Sequence, residues 1–124
     1  MQDLILNPTP LTPSVEFHAN GNLKMEGRSL PEDVEKVYAP IINWIIGLKA
    51  ETVNFDINLE YFNSASSKKI MEILKYLDAN NSIKQFNINW HYEEGDDDSV
   101  EIAQIYEESL LRVKFKYIEY DEAA

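Results

Sequence analysis

The sequence has no cysteine, which removes disulfides, thiolate nucleophiles and sulfur-ligated metals at once. Histidine is scarce too: His18 and His91 are the only two, too few for most zinc sites. The four glycines lie scattered at 21, 27, 47 and 95, so there is no glycine-rich phosphate loop. Basic residues number 11 against 22 acidic ones, a formal net charge of −11. A chain of that sign repels phosphate backbones and anionic lipid, so neither nucleic acid nor a membrane surface is expected as a partner. No apolar run approaches the roughly 18 residues a membrane span needs. Met1-Gln2-Asp3-Leu4-Ile5-Leu6 lacks the basic and long apolar regions of a signal peptide, so a cytoplasmic protein is expected. Catalytic machinery is equally thin. No serine sits in a nucleophile elbow, no His-Glu-x-x-His spacing occurs, and Ser64 or Ser66 would need a positioned base to act as a nucleophile. The composition points to a binding module without catalytic residues, metal or cofactor, not to an enzyme.

What is present organises as one domain. At 124 residues and 44% hydrophobic, residues 1–124 make a single unit with a real core. Residues 1–13, with Pro8, Pro10 and Pro13, read as an extended lead-in. Val15 to His18 and Leu23 to Glu26 alternate around Asn20-Gly21, a hairpin signal. Ser29-Leu30-Pro31-Glu32 reads as a capped helix start, followed by a stripe of Val34, Val37, Tyr38, Ile41, Ile45 and Leu48. Pro40 should kink that helix. Val53 to Tyr61 is the clearest strand. A second helix opens at Asn63-Ser64, carries Ile70, Ile73, Leu74 and Leu77 inward, and closes at Asn80-Asn81. Phe86 to Tyr92 alternates again, the acidic run Glu93 to Asp98 caps a third helix, and Val113 to Tyr120 is the last strand.

The order β-β-α-β-α-β-α-β implies parallel pairing through right-handed crossovers. Parallel strands covered on both faces are almost wholly apolar, and each of these has one polar row. The resolution is a two-layer α/β domain: a mixed sheet of about five strands, three helices on one face, and the other face wet. Val53, Phe55, Ile57, Phe86, Ile88 and Trp90 should face the helices, with Asn54, Asp56, Asn87 and Asn89 in water.

Three places could carry function. The run Glu93-Glu94-Gly95-Asp96-Asp97-Asp98 lacks the ligand spacing of a calcium loop, and acidic residues suit a helix N-terminus in any case. It reads as a steering surface for a partner. The polar strand face, including Asn58 and His91, offers an alternative function as a small polar ligand-binding or carrier domain. The third place is Tyr61-Phe62-Asn63-Ser64-Ala65-Ser66-Ser67-Lys68, where a strand ends and a polar cluster enters a helix. One N-cap needs one such side chain, and here there are four in five positions. Free amides at a helix N-terminus also stabilise a phosphate.

That segment resembles the "Tyr-[Leu/Phe]-Asn-[Thr/Ser]-Ser-Ser-x-Lys" stretch of the SiaC-type biofilm-regulation phosphoproteins. Trp90-His91-Tyr92 before acidic residues, Gly27-x-Ser29-x-Pro31-Glu32, and Pro40-Ile41-x-x-Trp44 fit the same family, in order, from Thr12 to about Phe115. The resemblance implies a STAS-like, anti-sigma-factor-antagonist-like fold and a partner switch. A serine/threonine kinase of the anti-sigma type would phosphorylate the helix entry, a PP2C-like phosphatase would reverse it, and the unmodified protein would bind and activate a diguanylate cyclase. The family's phosphoacceptor falls on Ser64. Ala65 replaces a hydroxyl usual in the family, which leaves Ser66 as the second candidate. Tyr61, Asn63, Ser64, Ser66, Ser67 and Lys68 form the implied partner surface. A phosphate on Ser64 is expected to lie by the amides of Ser66 and Ser67, with Lys68 and Lys69 partly neutralising it.

Overall fold

The computed structural model describes residues 1–121. Its elements run β1 (Leu4–Leu6), β2 (Ser14–Phe17), β3 (Asn22–Ser29), α1 (Val34–Ile46), β4 (Thr52–Phe62), α2 (Ser64–Ala79), β5 (Gln85–Glu93), α3 (Asp97–Ser109) and β6 (Val113–Tyr120). The strands lie in the sheet in chain order. β1, β2 and β3 pair antiparallel, and β3, β4, β5 and β6 pair parallel. Each parallel crossover steps the same way across the sheet. With one handedness favoured, the three helices fall on one face.

Burial follows that geometry. Val53, Phe55, Ile57, Phe86, Ile88 and Trp90 are all at most 2% exposed, while Asn54, Asp56, Asn87 and Asn89 line the solvated face. The helices close the core with Tyr38, Ile41 and Ile45 from α1, Ile70, Ile73, Leu74 and Leu77 from α2, and Ala103 and Tyr106 from α3. Val34 and Val37 only pack at its margin.

Two sequence expectations change here. The sheet has six strands, because the lead-in holds β1. Its side chains Leu4 and Leu6 pack against the core, Trp44 Nε1 donates to the Gln2 carbonyl at 2.7 Å, and the Asp3 carboxylate accepts from Ala19 N and pairs with His18. Second, Ser29 does not cap α1. Asp33 does, accepting from Lys36 N at 3.1 Å. The residue before a proline is pushed to extended backbone, so Leu30 cannot join a helix and Ser29 stays in β3. Pro40 lies inside α1, which spans Val34 to Ile46.

The β2–β3 connection is His18-Ala19-Asn20-Gly21, and Gly21 alone in it has positive φ, at 100°. Gly21 is also irreplaceable for space: a Cβ there would meet the Thr52 carbonyl oxygen at 2.0 Å. The same glycine's carbonyl accepts from Asn54 N, so the turn docks on the start of β4.

Candidate functional site

β4 ends at Phe62 and α2 begins at Ser64, so one residue, Asn63, makes the turn between them. Its backbone is extended (φ −85°, ψ 174°), and its side-chain oxygen accepts from Ser66 N at 2.9 Å. Asn63 N donates to the Ser29 carbonyl, and Ser67 N to the Asn63 carbonyl. Four amides of a helix N-terminus lack intrahelical partners. Asn63 and Ser66 are thus satisfied, and the amides of Ser64 and Ala65 have no partner among the described residues. This corrects the expectation for a phosphate on Ser64: the amides of Ser66 and Ser67 are already engaged.

The serines of this turn divide sharply. Ser64 is exposed, and its hydroxyl makes no hydrogen bond to a described residue. Ser66 is 0% exposed. Its hydroxyl donates to the Ser29 carbonyl at 3.0 Å and accepts from Ser29 Oγ at 2.8 Å. Ser29 has one hydroxyl proton and gives it to Ser66, so the 2.7 Å contact between Ser29 Oγ and Tyr38 OH must be donated by Tyr38. The result is a closed buried chain from α1 through β3 to α2. Ser67 is half-buried; Tyr106 OH donates to its carbonyl at 2.9 Å, so the Ser67 hydroxyl donates to Tyr106 OH at 2.7 Å. Burial pushes the Tyr106 phenol up to about 12, and the Ser67 bond only partly offsets it.

Nearby, Trp90 Nε1 donates to Ser99 Oγ at 2.9 Å. The buried polar residues of the described chain are Ser29, Ser66 and Ser99. All three lie where the parallel strands end and the helices begin. Buried hydroxyl networks fix geometry more than they stabilise, so the rigid polar part of the core sits under this edge.

Of the residues expected at the partner surface, Tyr61, Ser64 and Lys68 are exposed, with Tyr61 at 56%. Asn63 and Ser67 are half-buried and occupied. Ser66 is a correction: its burial takes it out of the surface, both as a contact and as an accessible acceptor. Lys69 is another, since it binds Glu35 across the α1–α2 contact and also Glu72, and these bonds hold its ammonium above the usual lysine range. Lys68, exposed and four residues after Ser64, remains available as a cation on α2 itself.

In the acidic run, Asp96 caps α3, accepting from Ser99 N at 3.2 Å, while Asp97 and Asp98 occupy its first turn. Asp96 is thus structural as well as acidic. On the polar sheet face the side chains largely satisfy one another: Asn87 Nδ2 donates to Asn54 Oδ1 at 3.0 Å, and His91 Nε2 meets Asp56 at 2.9 Å. Both histidines hold an aspartate, His91 with Asp56 and His18 with Asp3. Neighbouring side chains on that face leave hollows, one of about 370 Å3 lined by Asn54, Asn87, Asn89, Lys114 and Lys116.

An open mixed sheet with its helices on one face, and a rigidly held strand-to-helix turn presenting one free hydroxyl, defines a STAS-like two-layer α/β module. More narrowly, the chain belongs to the SiaC family of regulatory phosphoproteins, whose profile matches residues 6–120. It is 29% identical over 113 residues to an uncharacterised protein of Pseudomonas aeruginosa (strain UCBPP-PA14), covering 87% of this chain and 90% of that one. Among solved structures it is similar to SiaC of Pseudomonas aeruginosa, with a TM-score of 0.84, 26% identity, and 97% of this chain and 100% of that chain covered. It is equally similar, at a TM-score of 0.84 and 27% identity, to a chain in the crystal structure of the diguanylate cyclase SiaD in complex with its activator SiaC from the same organism, covering 95% of this chain and 100% of that chain.

Proposed function

We propose that this protein is a partner switch whose unmodified form binds and activates a diguanylate cyclase, and that phosphorylation of Ser64 releases the enzyme. Family membership supports a regulatory role, and the SiaD–SiaC complex supports a cyclase as the partner. The observation that carries the choice of residue is the contrast among neighbouring hydroxyls: that of Ser64 is exposed and unbonded among the described residues, whereas those of Ser66 and Ser67 are committed. A kinase reaches Ser64 without opening the fold. A serine/threonine kinase of the anti-sigma type and a PP2C-like phosphatase would set the modification state in the cytoplasm, and the protein would turn over no substrate itself.

The mechanism is local. A phosphoryl group brings close to two negative charges at neutral pH. Placed on the first helical residue it meets the free amides of Ser64 and Ala65 and the dipole of α2, so the fold accommodates it. A partner packed against the same turn would have to bury that dianion, and an uncompensated buried charge costs several kcal/mol. The fold survives and the complex does not.

The test is intact mass and cyclase binding after co-expression with the cognate kinase. The wild type should gain one phosphate and Ser64→Ala none, while Ser64→Ala still binds the cyclase. Ser64→Asp should bind at least about tenfold more weakly. Full phosphorylation of Ser64→Ala would move the acceptor elsewhere, and equal binding by both variants would remove Ser64 as the switch.

A further inference from the structure

We infer that the cleft between the end of β4 and the start of α3 receives an apolar side chain from a partner segment flanked by lysine or arginine. This rests on the reading of this sheet edge as the partner surface, but its test does not pass through Ser64. The cleft holds about 250 Å3. Small-molecule sites run from roughly 300 to 1,000 Å3, so this one is short for a metabolite and suits one or two side chains. Its floor is apolar and fixed. Leu59 is buried, Ile102 is half-buried, and the half-buried Phe62 ring stands edge-on to Trp90 at 6.1 Å between centroids. Trp90 is held in turn by Ser99. Tyr61 forms a wall with more than half its surface in water. A rigid tyrosine beside an apolar hollow is the kind of residue that concentrates interface energy.

The rim supplies the charge of the occupant. Glu60 and Asp98 are exposed and Asp96 is half-exposed; none of the three pairs with a cation among the described residues, and no lysine or arginine lines the cleft. An acidic flank entering here is repelled. A basic one supplies the missing countercharges, and a net charge of −11 steers it in. The basic flank lies over α3 and not over Ser64, because a cation there would hold the phosphorylated form more tightly and invert the switch.

The probe is the peptide acetyl-Lys-Arg-Leu-Phe-Arg-Lys-amide, titrated into the isotope-labelled full chain and followed by amide shifts, with acetyl-Glu-Glu-Leu-Phe-Glu-Glu-amide as the charge-reversed control. Shifts should cluster on Tyr61, Phe62, Ser99 and Ile102, and the control should not bind. Tyr61→Ala, at an exposed position that leaves the fold intact, should weaken binding at least about fivefold. The pair Glu60→Gln with Asp98→Asn should remove most of the salt dependence. The inference is overturned by shifts spread over the acidic surface, by shifts centred on a second cleft, which Ile46 at the end of α1 and Tyr76 of α2 line, by equal binding of the control, or by Tyr61→Ala binding as the wild type does. Any of these results leaves the Ser64 experiment standing, since that one reads phosphate on a different residue.

Discussion

At the scale of single residues, a hydroxyl's role depends on which face of its element it occupies. Ser64 and Ser66 are two apart in a helix and therefore point in different directions, one to water and one to the core. The sequence shows the polar cluster and the N-cap Asn63 plainly. It does not show Ser29, whose partners Tyr38 and Ser66 are 9 and 37 residues away. Pattern reading assigns such a serine to the nearest local job, a helix cap, and Asp33 already has that job. The buried chain makes a graded expectation. Tyr38→Phe removes one donor and leaves Ser29 and Ser66 bonded, so it should cost about 1 kcal/mol. Ser29→Ala strands the fully buried Tyr38 hydroxyl and takes a donor from Ser66, so it should cost more, about 1 to 3 kcal/mol. Urea unfolding of the two variants and the double variant decides. If Tyr38→Phe proves the more damaging, the protons do not run from Tyr38 through Ser29 to Ser66.

At the scale of elements, strands and helices with a clear period were legible, and those held by distant partners were not. β4, α2, β5 and β6 follow from alternation and capping residues alone. β1 has three residues, too few to show a period, and owes its place to Leu6↔Val15 pairing and the Trp44 bond to Gln2. The end of α2 follows the same rule. It carries no basic residue in its last turn. Arg112, more than 30 residues on, fills the need: its guanidinium donates to the carbonyls of Asp78 and Ile83 at 2.7 Å, Asn80 at 3.0 Å and Leu77 at 3.3 Å. The Asp78 carboxylate in turn accepts from the amides of Leu111 and Arg112. Arg112 therefore ties the α2 C-terminus to the start of β6. Arg112→Ala should destabilise by about 2 kcal/mol or more, and Arg112→Lys should recover only a minor part, because an ammonium cannot reproduce a planar fork across four acceptors. Thermal unfolding of both variants checks this; full rescue by lysine would reduce the role of Arg112 to its charge.

At the scale of the whole molecule, one asymmetry governs architecture and pH response alike. Polar rows on the strands placed the helices on one face, and Tyr38, Tyr106 and Tyr117 pack in or against the core on that side. Burial raises Tyr38 and carries Tyr106 to about 12; burial and then the Glu107 bond raise Tyr117 as well. Lys24 and Lys69, bonded to Glu26 and Glu35, are raised too. In each case the folded chain holds its proton more tightly than the unfolded chain. Their contribution is therefore complete below the ordinary tyrosine value near 10 and is lost as pH climbs through the folded values. Between pH 10 and 12 the folded state binds more protons, so stability must fall with rising pH, by up to about 1.4 kcal/mol per unit for each fully shifted buried group. Urea midpoints should hold from pH 7 to 9 and decline steeply above 10. Tyr106→Phe should flatten part of that decline, since phenylalanine has no proton to lose. A stability that stays level to pH 12, or an unchanged slope in Tyr106→Phe, would mean that the phenol ionises in place and that its bonds to Ser67 do not hold the helix entry closed.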